Sequence, residues 1–404
     1  MRDDSRRAPA TGMKPLAAIP SAVLAGLLAT PSLYLIDKVL GLSAVPLYVA
    51  CVAAMVAIWR SSPSARFAER LGEKRACILA VATLAALVIA FFVLYPIAKS
   101  GQFGAGSDAD DALNKAARAL MGGHFPYRQL TYRGNPITPM PGALLLASTF
   151  VLLGNGAYQI FLWLPAAFLV VRAGFNGSSG RALTFSWLVL AACPAVLHHL
   201  VTGIDYAANS IAVLVFALGL AQSAARIDSP RWRTLGWAAL FGLSLSSRAN
   251  FVLLVPLVAR HLAKCCGWRW SGKLIAMALF AASVVTLPFF AYDPQGFSPL
   301  HTADKLTQLN PLLPHAAFWI PVAALALSLW LALRPTVRST ETFLRDATLV
   351  QAFVVLLPAT LWAMFGEPRL DYTAFGELFL YFGLAWIAAR SGRDDRSLDA
   401  KASV

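Results

Sequence analysis

The chain has 404 residues, of which 58% are hydrophobic and 13% charged, and its mean hydropathy is +0.62. Charged residues make up about a quarter of an ordinary soluble domain, so this composition excludes one and predicts an all-α, polytopic membrane protein. The net charge of +14 does not point to nucleic acid, because the basic residues are scattered through short loops between apolar runs, the pattern that orients membrane helices.

Arg2, Arg6, Arg7 and Lys14 precede the first apolar run in the manner of a signal peptide. No small-residue cleavage site follows and more apolar runs do, so the segment is read as a retained first helix. Runs long enough to span, or nearly so, lie near 16–36, 44–59, 76–96, 157–171, 183–199, 209–225, 234–247, 250–263, 274–292, 315–333, 347–365 and 373–389. They predict about twelve transmembrane helices in one integral membrane domain over residues 1–390, with a disordered polar tail over 391–404.

The stretch between the third and fourth runs, about 97–156, is the informative one. It opens on Gly106-Ser107-Asp108-Ala109-Asp110-Asp111, three carboxylates at a membrane boundary, where charges are functional candidates. From Asp108 to Gly122 the spacing of Ala109, Ala112, Leu113, Ala116, Ala117, Leu120 and Met121 predicts a short amphipathic helix with acids in its first turn and Gly122-Gly123 at its end. Acids at a helix start also serve as caps, which accounts for one of the three. Pro139 and Pro141 suit the start of a second short helix running to about 153.

Whether that second helix crosses the membrane decides the topology. If it does not, only Lys38, Lys99, Lys115, Arg118, Arg128, Arg133, Arg248, Lys305 and Arg369 of the 34 Lys and Arg residues lie outside, and 25 lie inside. If it crosses, 12 lie inside and 22 outside, against the positive-inside tendency. The non-crossing arrangement is therefore expected, with in-plane helices in an outward loop, both termini cytoplasmic and the protein in the cell membrane.

On that topology His198, His199 and Asp205, then Arg248, then Lys305, then Arg369 and Asp371 gather on the outward side with the three aspartates. Acids and bases on one face could hold an anionic headgroup while a carboxylate does base chemistry. Arg248, in Ser246-Ser247-Arg248-Ala249 between two short apolar halves, is read either as a snorkelling interfacial arginine or as a contact to a lipid phosphate. His198-His199 has no third ligand at metal spacing and is read as a polar interface or acceptor contact. Glu377, inside the last run, is either a buried partner of another polar group or part of a cavity. No phosphate loop, dinucleotide fingerprint, nucleophile elbow or zincin helix occurs, and Cys51, Cys77, Cys193, Cys265 and Cys266 have neither disulfide nor zinc spacing.

Asp108-x-x-Asp111 running into Ala116-Ala117-Arg118-Ala119-Leu120-Met121-Gly122-Gly123, then Pro126-Tyr127 and the proline-rich Asn135–Gly142, resembles the first outward loop of C-type membrane glycosyltransferases, notably their bacterial polyprenyl-phosphate-mannose-dependent branch. The short hairpin 234–263 with a base at its outer turn resembles that superfamily too, although Ser-Arg-Ala stands where Lys-Pro is more usual. The resemblance covers about 97–260. It implies an inverting glycosyltransferase that uses a polyprenyl-phosphate sugar donor, a glycolipid or glycan acceptor of the cell envelope and a membrane lipid environment. It implies an aspartate base, Asp108 with Asp111 as runner-up and Asp110 as an orienting group. Cations for the departing phosphate would come from Arg248, Arg369, Lys305, Arg128 and Arg133. No cofactor is implied, and the three acids are the one feature that could hold a divalent cation. Two other classes fit the composition: a transporter or flippase for a lipid or amphiphile, and a scaffold protein whose acids merely solvate a loop.

Overall fold

The computed structural model describes residues 21–100, 107–226, 228–334 and 339–402. The basic segment Arg2–Lys14 and Gly106 lie outside them. Among the described residues the chain forms eighteen α-helices joined by turns, and no strand. These are α1 Ser21–Ala29, α2 Leu33–Leu40, α3 Val45–Trp59, α4 Ser62–Arg70, α5 Gly72–Lys99, α6 Ala109–Met121, α7 Pro141–Leu152, α8 Ile160–Gly174, α9 Ser179–Ala192, α10 Pro194–Thr202, α11 Tyr206–Ala225, α12 Arg231–Leu245, α13 Val255–Cys266, α14 Trp268–Tyr292, α15 Asp304–Thr307, α16 Ala316–Leu333, α17 Thr340–Phe365 and α18 Glu377–Ala402. The all-α class is as the hydropathy pattern predicts.

Among the described residues nine helical segments are long and apolar enough to cross a membrane, or ten if the bent pair α9 and α10 is one span. The chain is a multi-pass membrane protein. Helix α11 is central, with 67% of its apolar window buried, whereas α5 shows 6% and α14 11%. Val81, Ile89, Phe92 and Val93 on α5 and Phe280, Val284 and Leu287 on α14 are exposed. Apolar patches of that extent are tolerated where lipid covers them.

Two local features differ from straight spans. The run 183–199 is broken by an 80° bend between α9 and α10, because Pro194 has no N–H to continue the ladder. Ser32 relieves the break, its hydroxyl accepting from Ala195 N–H at 3.0 Å and lying 3.5 Å from Cys193 Sγ. The last helix runs on to Ala402, past Arg390, where the sequence predicts a disordered tail.

The segment between α5 and α8 starts and finishes at one end of the bundle. Tyr95, in the last turns of α5, accepts a hydrogen bond from Asn155 Nδ2 just before α8, at 2.8 Å. At the other end of the same two helices Glu73 lies 3.4 Å from Arg172 and accepts from Ser179 N–H at 2.9 Å. Helix α7 within the segment has 12 residues, about 18 Å of rise, too short to cross a hydrocarbon core of about 30 Å.

Candidate functional site

Helix α6 owes its position to a small core of its own. Ala112, Leu113, Ala116 and Ala117 bury one face against Tyr127, Ile137, Ala143, Leu144, Ala147 and Phe297, while its acidic first turn is left at the rim. Helix α7 anchors this unit to the bundle. The Gly142 N–H donates to Ser246 O at 3.0 Å, and a Cβ at Gly142 would lie 2.3 Å from Leu243 O. Only glycine lets the start of α7 come this close to the end of α12, and Arg248 follows two residues after Ser246.

The three aspartates have different surroundings. Asp108 stands at the N-cap position of α6 but makes no capping bond. Its Oδ2 accepts instead from Thr131 Oγ1 at 2.6 Å and Asn135 Nδ2 at 2.8 Å. Burial pushes this carboxyl up, but those two bonds, its own backbone N–H and the nearby Arg133 charge together outweigh it and hold it below the usual carboxylate value. Asp110 is fully buried. Lys99 Nζ lies 2.5 Å from it and the Tyr95 hydroxyl donates to it at 2.5 Å. Asp111 faces Lys115 at 3.0 Å and accepts from Tyr132 N–H at 2.8 Å. Of the three, Asp108 is half-buried and has no salt-bridge partner among the described residues.

Behind α6 lies the Gly203–Tyr206 turn that opens α11. Gly203 has φ +72, and a Cβ there would sit 2.9 Å from Asp110 Cβ and 3.0 Å from Ala157 Cβ. Asp205 is buried and forms an ion pair with Arg248, while accepting from Asn209 Nδ2 at 2.8 Å. The Arg248 guanidinium also lies over the Tyr206 ring, 4.8 Å from its centroid. Arg248 is thus buried and neutralised rather than snorkelling at the interface, with its Nε unpartnered among the described residues. The Gly203 turn packs against Asp110 and leads directly into Asp205 and Tyr206, so the two groups of charges share one neighbourhood.

A row of rings continues from there. His199 packs against Tyr206 and Tyr206 against Phe375, at centroid distances of 5.8 and 5.3 Å. His199 Nδ1 lies 2.9 Å from Glu377 Oε2, a contact at ion-pair distance without hydrogen-bond alignment. Glu377 is wholly buried, which decides for the buried-partner alternative. Lys305 Nζ stands over the far side of the row, 4.7 Å from the Phe375 centroid, and its backbone carbonyl accepts from the Tyr372 hydroxyl at 2.9 Å. Arg369 pairs with Asp371 at 3.2 Å and lies 6.0 Å from the Tyr372 centroid.

The structure therefore brings Asp108, Asp110, Asp205, Arg248 and His199 into one region, with Lys305, Arg369 and Asp371 along its edge. Arg133 belongs to it through Asp108. His198 lies edge-on to His199, with ring centroids 5.6 Å apart. Arg128 does not join them: it pairs with Asp293 at 3.5 Å and lies over Phe125 and Tyr292, at the end of α14. Tyr95, Lys99, Thr131, Tyr206 and Phe375 are site residues that sequence reasoning missed. A hydroxyl or ring at an interface carries no periodic signal, and their roles come from contacts across 11 to more than 160 residues. Among the described residues no three His, Cys, Asp or Glu side chains converge as a metal site. Comparison with protein-family models, with curated proteins and with solved structures gave no match.

Proposed function

We propose that the chain is an inverting membrane glycosyltransferase that moves a sugar from a polyprenyl-phosphate donor to a glycolipid or glycan acceptor on the outer face of the cell membrane. The observation that carries this reading is the state of Asp108. It is a half-buried carboxylate kept ionised by Thr131 and Asn135, at the rim of a site whose other side holds buried and exposed cations. We count α12 and α18 as further crossings beside the ten segments of the fold, which gives twelve and places both termini on the cytoplasmic side by the bias of basic residues.

In the reaction the acceptor hydroxyl oxygen attacks the anomeric carbon from the face opposite the phosphate. Asp108 takes the hydroxyl proton as the new C–O bond forms. The old C–O bond breaks towards the phosphate, which leaves with the electron pair and develops negative charge. Lys305, which has no acid partner within ion-pair distance among the described residues and stands over Phe375 across the ring row, is the cation that stabilises it, while Arg133 lies beside Asp108 and helps keep the base ionised. Asp110, clamped by Tyr95 and Lys99, and the Asp205–Arg248 pair, stacked on Tyr206, are positioning groups that fix the start of α6 and the floor of the site.

Incubation of the purified protein with radiolabelled polyprenyl-phosphate sugars and cell-envelope lipids tests the reading. A new labelled glycolipid is expected, and its absence with every donor sugar would overturn it.

The bent pair α9 and α10 and the buried His199–Glu377 contact favour a second reading, a transporter for a lipid or amphiphile. Broken helices and buried ionisable groups are the marks of such proteins. Movement of labelled lipid across vesicles without a chemical product would support it.

A further inference from the structure

At the end of the bundle away from Asp108, five helices open into a cavity of about 860 Å³. The second halves of α8 and α11, the middle of α18 and the first turns of α12 and α17 line it. The volume falls in the range of ligand sites.

Its walls have two characters. Ala166, Leu169, Val170, Val215 and Leu218 make an apolar flank towards the middle of the bundle, and Trp237 closes one side against Gly219, where a Cβ would lie 2.6 Å from the indole. The rim carries Arg226, Arg233 and Arg393 with a single carboxylate, Glu341. Glu341 is already held by Arg390 at 3.1 Å and Arg393 at 2.8 Å. Arg226 and Arg233 are exposed and have no acid partner among the described residues. The turn between them is braced, since the Ser223 hydroxyl bonds both Ser229 and Thr234 hydroxyls at 2.9 Å. Two guanidinium groups without an ion-pair contact among the described residues are thus presented above an apolar slot inside the bundle, with the exposed Asp228 as the one acid of the turn between them.

A guanidinium fork matches the oxygens of a phosphate, and the apolar slot below suits hydrocarbon. Basic pockets between membrane helices take anionic lipid headgroups on these grounds. We propose that this cavity binds an anionic phospholipid, with its phosphate between Arg226 and Arg233 and an acyl chain along Leu169, Val170 and Leu218. The site is separate from the Asp108 region and stands whether or not the chain transfers sugar.

The test uses the full chain purified in neutral detergent, with dioleoyl phosphatidylglycerol or dioleoyl phosphatidylcholine added at equal concentration and bound lipid counted by native mass spectrometry. Preferential retention of the anionic lipid by about tenfold is expected. R226Q/R233Q should abolish that preference with an unchanged unfolding temperature, and R66Q/R70Q, which removes two exposed bases of α4, should keep it. Equal retention of both lipids overturns the proposal, and so does an equal loss in the two double variants, which would show a general surface attraction. Glycerol phosphate supplies the same headgroup without tails. Failure to displace the lipid at matched concentration is expected, whereas full displacement would assign the site to a free phosphate compound and overturn the lipid assignment.

Discussion

Asp205 and Arg248 form a buried ion pair that joins the residue before α11 to the turn after α12, 43 residues on. Each is the other's charge partner, and Tyr206 covers the guanidinium. Removal of either partner strands a charge away from water, whereas removal of both does not. Asp205→Ala should therefore cost about 3–5 kcal/mol, Arg248→Ala a similar amount, and the double variant clearly less than their sum. Chemical or thermal unfolding of the four proteins in detergent measures the cycle, and additive losses would show that the pair is not coupled.

Gly203 is the hinge of the same region. Its φ of +72 lies where side chains are strained, and a Cβ would press on Asp110 and Ala157. Gly203→Ala is expected to lower stability by about 1–3 kcal/mol and to reduce transfer activity further, because Asp110 must move and carry α6 with it. Membrane insertion should be normal by fractionation. Full activity in this variant would mean that the seating of α6 does not matter to the site.

The pH response follows from the bonds to Asp108. Thr131 and Asn135 favour the ionised form and so lower its pKa, against burial, which raises it. The acid limb of activity should lie below the usual carboxylate range, since the base works only when ionised and is lost as pH falls through its pKa. With Thr131→Val and Asn135→Ala combined, burial is left to dominate and the limb should move upward. A pH profile of kcat/KM on both proteins checks this, and a downward shift would contradict it.

The bend at Cys193 offers a test that does not depend on any activity. Ser32→Ala removes the acceptor for the Ala195 N–H in a buried setting. An unsatisfied buried donor costs about 1–3 kcal/mol. A lower unfolding temperature for Ser32→Ala, with none for Ser61→Ala, whose hydroxyl bonds Ile58 O in an exposed setting, would support the role of Ser32 at the break.

The helices were legible because lipid-compatible helices must be apolar over most of their length, and α6 because its small apolar residues recur at helical spacing with acids first and glycines last. The Tyr95–Asn155 bond, which joins the ends of the segment between α5 and α8, spans 60 residues and has no local signature. What could not be read was pairing. Asp108, Asp110 and Asp111 sit within four positions yet take Thr131 and Asn135, Tyr95 and Lys99, and Lys115 respectively, choices fixed by how α6 rotates onto its neighbours. Arg248 looked like a surface base because its flanks are short, and Asp205 buries it through a contact no local pattern encodes. The run 183–199 reads as one span although Pro194 interrupts it, and the 80° bend there is held by Ser32, far away in sequence.

The central claim is that Asp108 takes the proton from the acceptor hydroxyl. Single-turnover transfer from a labelled polyprenyl-phosphate sugar by Asp108→Asn measures it most directly, with donor retention followed in the same samples. The account predicts that the donor is still bound while the transfer rate falls by about two to four orders of magnitude. Transfer at the rate of the unaltered protein would contradict it.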